Sequence, residues 1–122
     1  MHKIFVTGSR DINDGIFVVN SFMNYIKQNN LTDFIVLHGN CKTGADHFIH
    51  LLCLEKDFKV QTYPANWKAY GKAAGLIRNR EMATDCDSCI AFQKNMSKGT
   101  SNSILEVTKR GKKIEVINCD AA

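Results

Sequence analysis

Phe34-Ile35-Val36-Leu37-His38-Gly39-Asn40-Cys41-Lys42-Thr43-Gly44-Ala45-Asp46 is the stretch that decides the fold. Residues 34–38 form a short, almost wholly apolar run that stops at a glycine, as a strand buried on both faces does. A helix begins at Thr43, with Phe48, Ile49, Leu52 and Cys53 on its inner face. Thr43-x-x-Asp46 has the form of a capping box, with aspartate where glutamate is preferred. Strand, glycine-bearing loop and helix thus follow one another within a few residues.

The same unit recurs on either side. Lys3-Ile4-Phe5-Val6-Thr7 is a strand ending at Gly8, and Val18, Val19, Phe22, Tyr25 and Ile26 recur at helical spacing until Asn29-Asn30. Val60-Gln61-Thr62-Tyr63 is a weaker strand, cut off by Pro64. After a polar stretch, a helix runs from about Ala73 to Asp85, and Ser88-Cys89-Ile90-Ala91-Phe92 is a fourth strand. Ile104, Leu105 and Val107 mark a last helix that stops at Gly111, and Ile114-Glu115-Val116-Ile117 is the fifth strand. Apolar strands alternating with helices imply a parallel sheet covered on each side. With right-handed crossovers this predicts an α/β, Rossmann-like three-layer sandwich, one domain over residues 1–122, with strand order 3-2-1-4-5.

Composition agrees with that reading. The 122 residues are 44% hydrophobic and 23% charged, the balance of a globular domain rather than a disordered one. The formal charge of +4 suits an anionic partner. Ile4-Phe5-Val6 is too short for the apolar core of a signal peptide, and no window reaches the length of a membrane span. The expected location is the cytoplasm, that of the host if the chain is viral. Five cysteines at irregular spacing make a poor disulfide framework. Cys86-x-x-Cys89 has no second pair to complete a zinc site, and His47 and His50 have no cysteine pair at finger spacing. The cysteines read as small core residues, and neither metal nor cofactor is expected.

In an open parallel sheet, ligands bind beyond the carboxyl ends of the strands, where strand order reverses. Three glycine-bearing loops are predicted to meet there. The first carries Gly8, Ser9, Arg10 and Asp11; its glycine admits close approach and its arginine suits a phosphate. The second carries Gly39, Thr43, Gly44, Ala45 and Asp46 and opens a helix, whose free N–H groups favour an anion. The third is Lys98-Gly99-Thr100-Ser101. Ser9, Thr43 and Thr100 are expected to converge on one anion. Between strands 3 and 4, Trp67 is placed to stack on a base or to cover the sheet edge, and Arg78 and Asn79 to reach phosphate or ribose. Lys72 and Arg80 read as a solvated face.

These stretches resemble the SLOG superfamily, and more narrowly its small YspA-like branch. The resemblance is carried by Thr7-Gly8-Ser9-Arg10-Asp11, His38-Gly39-x-Cys41-x-Thr43-Gly44-Ala45-Asp46, Pro64-Ala65-x-Trp67, Gly71-Lys72-x-Ala74-Gly75-x-x-Arg78-Asn79-x-x-Met82, Ala91-Phe92 and Gly99-Thr100. They are collinear over nearly the whole chain. The resemblance implies a Rossmann-like fold and a nucleotide-derived ligand. Enzymatic relatives, the phosphoribohydrolases of the cytokinin-activating type, carry Gly-Gly-x-Gly-Thr-x-x-Glu. Here that stretch is Met96-Ser97-Lys98-Gly99-Thr100-Ser101-Asn102-Ser103, without the glutamate, and Glu106 falls a turn too late.

The leading expectation is therefore a binding protein, a receptor or sponge for an ADP-ribose-type or cyclic nucleotide signal. If phage-encoded, it would be an inhibitor of host immune signalling. The alternative is a phosphoribohydrolase or related N-glycosidase, with Arg78 and Glu81 as its candidate catalytic residues. Single-stranded nucleic-acid binding is the third class. Lys94, Lys98, Lys109, Arg110, Lys112 and Lys113 make the C-terminal third basic, but Trp67 and Tyr70 are few aromatics for a stacking groove. A homodimer or larger homo-oligomer is a further expectation.

Overall fold

A computed structural model describes residues 1–122. Five parallel strands, β1 (His2–Gly8), β2 (Phe34–His38), β3 (Lys59–Thr62), β4 (Ser88–Gln93) and β5 (Lys113–Asn118), form one sheet in the order β3-β2-β1-β4-β5. This is the order that the alternating pattern predicts. The direction of winding reverses between β1 and β4, so a crevice opens beyond their carboxyl ends.

Alternation along the strands divides the core in two. Ile4, Val6, Val36, Ile90 and Phe92 point to one face, where α1 (Gly15–Gln28) and α2 (Gly44–Lys56) cover them with Val18, Phe22, Tyr25, Ile26, Ile49 and Leu52. Phe5, Leu37 and Cys89 point to the other, against Met82 and Ala83 of α4 (Ala74–Asp85) and Val107 of α5 (Lys98–Lys109). Cys86 and Cys89 are free thiols packed in this second layer. No helix is long and apolar enough to cross a membrane.

Two local expectations are corrected, and the edge strands are less covered than the centre. The Thr43–Asp46 capping box does not form: Thr43 makes no side-chain cap, and Asp46 turns instead to accept from the N–H of Gly39 at 3.1 Å. The edge strands β3 and β5 have no fully buried residue, because each has one strand neighbour and little helix above it. The polar stretch before α4 is not all loop. Asn66 caps a short helix, α3 (Trp67–Tyr70), by accepting from the Ala69 N–H at 3.0 Å, and a 3₁₀ turn (Gly71–Ala73) leads on into α4.

The basic C-terminal third is dispersed by the fold. Arg110 and Lys109 pair with Glu106 at 2.7 and 3.2 Å, and the Arg110 hydrogen bond holds that carboxyl below its ordinary range. Lys112 Nζ donates to the carbonyls of Ala83, Thr84 and Cys86 at 2.8, 2.6 and 2.6 Å, closing the end of α4. Lys113 donates to Asn29.

Candidate functional site

The carboxyl ends of β1, β2 and β4 leave a cavity of ≈ 440 Å³ at the reversal point. Its floor is the end of β1, and the β1–α1, β2–α2 and β4–α5 loops with α4 make its walls. Ser9 sits where the first and third loops meet. Its N–H bonds to Phe92 O at 3.0 Å, and its Oγ accepts from the Lys94 N–H at 2.9 Å. Ser9 Oγ lies 3.0 Å from Ser97 Oγ, which in turn lies 2.8 Å from Thr100 Oγ1. Three hydroxyls from two loops and a helix start therefore form one chain along the cavity wall. Asn79 secures that start by donating to Gly99 O and Asn102 Oδ1 at 3.4 and 3.2 Å.

Helix starts differ around the molecule. Asp14 caps α1 by accepting from the Phe17 N–H at 3.0 Å, Asn66 caps α3, and α4 continues from its 3₁₀ turn. The two helices that begin beside the crevice have no side-chain cap. The first N–H groups of α2 and α5 consequently have no partner in the chain. Such groups, with the aligned peptide dipoles behind them, favour negative charge.

Arg10, Arg78 and Lys94 add three cationic side chains to the lining, against the carboxyls of Asp11 and Asp46. Asp46 is 5% exposed, and burial raises its pKa despite the Cys41 thiol, the Arg78 guanidinium and the Gly39 N–H beside it. Half-buried Cys41 is raised too, by burial first and Asp46 second. The Arg78 guanidinium packs over Gly39, where an added Cβ would lie 3.0 Å from its Cζ and Nε, and its Nη1 donates to Gly39 O at 3.1 Å. Its Nε is the one buried side-chain nitrogen or oxygen without a hydrogen-bond partner.

Two close approaches lock the loops. A Cβ at Gly8 would run into the Ala45 side chain and lie 3.0 Å from that of Phe92. At Gly44, where φ is +74°, it would meet Ser9 O and lie 2.7 Å from Arg10 Cα. Gly44 and Ala45 thus seat α2 against β1 rather than facing the cavity.

Of the residues expected at the site, Gly8, Ser9, Arg10, Asp11, Gly39, Asp46, Arg78, Asn79, Gly99 and Thr100 line this cavity. Ser9 and Thr100 meet through Ser97 on this cavity, but Thr43 does not join them. It is exposed on an adjoining cavity of ≈ 360 Å³ that Trp67 also lines. Ser101 points away from the cavity and accepts from Gln93 Nε2 at 2.9 Å. Glu81 is exposed and lines neither cavity. Cys41, Lys94, Asn95 and Ser97 line the first cavity without having been singled out as site residues. The available signal for the last three was position alone, directly after β4 at the reversal point. No group of three His, Cys, Asp or Glu side chains is placed to hold a metal ion.

Fold and cavity together define a Rossmann-like α/β protein with a cation-lined crevice at its strand reversal. No family model matches the chain. It is 32% identical over 124 residues to the Gene 61 protein of Mycobacterium phage D29, an alignment spanning 97% of this chain and 96% of that protein. The chain belongs to the family of that phage protein.

Proposed function

We propose that the chain binds a nucleotide-derived small molecule through its phosphates, as a receptor or sponge of the SLOG type. The observation that carries this reading is the start of α5, which has no side-chain cap and opens on a cavity lined by Arg10, Arg78 and Lys94. An anion there gains the free N–H groups at the start of α5, two guanidinium forks and the Thr100 hydroxyl, whose proton the Ser9–Ser97–Thr100 chain leaves free. Kinship with a phage protein supports the form in which a phage-borne chain in the host cytoplasm sequesters a nucleotide-derived immune signal.

Calorimetry with ADP-ribose, its cyclic isomers, NAD and AMP tests the reading. At least one should bind and be recovered intact after denaturation. Arg78→Ala should weaken it roughly tenfold or more, as loss of a charge-assisted contact does, while Glu81→Ala leaves it unchanged. No binding by any of the four, with the protein folded, refutes the proposal.

A hydrolytic reading has one observation in its favour, the buried Asp46 carboxyl with its raised pKa, in a cavity that Glu81 does not line. Free base accumulating in proportion to protein, and lost in Asp46→Asn, would replace binding by cleavage.

A further inference from the structure

The second cavity is not a separate surface feature. Arg10, Gly39, Cys41 and Arg78 line both cavities, so the two compartments meet along one boundary. That boundary carries two arginines and a glycine over which one guanidinium lies flat. Each compartment has the ~300–1,000 Å³ size of a small-molecule pocket.

Their chemistry differs. Hydroxyls, free N–H groups and carboxyls line the first. The second contains Pro64, Ala65 and Trp67 with Arg10, Lys42 and Arg78, and no carboxylate. Trp67 is 55% exposed, on a four-residue helix that contributes nothing to either core. Asn66 caps that helix, and the edge of the indole lies 3.7 Å from the place a Cβ would take at Gly75, so the ring leans toward the start of α4. A large aromatic plane left open beside cations is what a planar, electron-rich ring needs.

Resting on the proposed function, we infer that the second cavity is a ring-binding subsite, so that the ligand is of the dinucleotide class. One nucleotide half occupies the first cavity with its phosphate at the start of α5, the phosphate bridge continues across the shared boundary between Arg10 and Arg78, and a second ring stacks on Trp67. A mononucleotide fills only one of the two compartments.

Trp67 is the only tryptophan of the chain, so its fluorescence reports on this subsite alone. NAD, AMP and ribose 5-phosphate are titrated by calorimetry and by tryptophan emission. NAD should bind at least roughly tenfold more tightly than AMP, the worth of one base stacked on an aromatic side chain, and should quench Trp67. Ribose 5-phosphate should compete for the first cavity without quenching. Trp67→Ala should abolish the advantage of NAD and leave ribose 5-phosphate unaffected, and Trp67→Phe should restore part of it. Equal affinity of NAD and AMP, or unchanged emission on saturation with NAD, overturns the subsite while leaving phosphate binding standing. Failure of all three probes to bind overturns the subsite, and failure of ADP-ribose and its cyclic isomers as well overturns phosphate binding with it.

Discussion

Acidification should weaken the fold through one imidazole pair at the root of the site. His38 ends β2, immediately before Gly39, and is fully buried. Its Nδ1 accepts from the Asn40 N–H at 3.0 Å, so the ring proton sits on Nε2, which faces His50 Nδ1 at 2.9 Å. A second proton would have to displace the Asn40 donor and add charge beside His50. Burial first, and His50 second, lower the His38 pKa from 6.5 to about 4. The folded chain therefore binds fewer protons than the unfolded chain between those values. Stability is complete above the unfolded value and is lost as pH falls through the window. The full loss amounts to about 3 kcal/mol, of which about 2 kcal/mol should be gone between about pH 7.5 and about pH 5. Urea unfolding followed by circular dichroism at the two pH values measures it, with His38→Gln as the non-titrating comparison. The variant starts less stable but should lose about 2 kcal/mol less over the same interval. Equal acid losses in the two proteins would refute the argument.

Gly44→Ala should cost more than about 2 kcal/mol in urea unfolding, since a positive φ and backbone atoms of Ser9 and Arg10 both oppose a Cβ there. Gly111→Ala shares the positive φ (+69°) but has nothing within 4 Å, so about 1 kcal/mol is expected. Lys112→Met should cost about 2 kcal/mol by stranding the three carbonyls at the end of α4. Exposed Lys109→Met should cost less than about 0.5 kcal/mol in the same assay.

The central strands were legible because burial on both faces writes itself as an unbroken apolar run: Phe34–His38 has the bounds its sequence suggests. Edge strands lack that signature, since Lys59, Gln61 and Thr62 face solvent. A four-residue helix such as α3 is too short to show a period, so only Asn66 could have signalled it. At the site, the loops were legible and their side-chain directions were not. Asp46 had two partners within reach, the start of its own helix and the Gly39 N–H across the loop, and only packing decides between them. Thr43 was placed with Ser9 on the strength of a shared sheet edge, although the loop that carries it turns outward to the second cavity. Ser97 reads as an ordinary residue ahead of a helix until its hydroxyl is seen between those of Ser9 and Thr100.

Gly8 against Ala45, and Gly44 against Ser9, leave no slack between the end of β1 and the start of α2. The two segments behave as a single casting, so neither can shift toward a guest without moving the other. This junction is ordered by the fold itself, so a ligand bound beside it would spend little on arranging it. The same tight fit couples positions 8 and 45, so Gly8→Ala should cost less beside Ala45→Gly than alone.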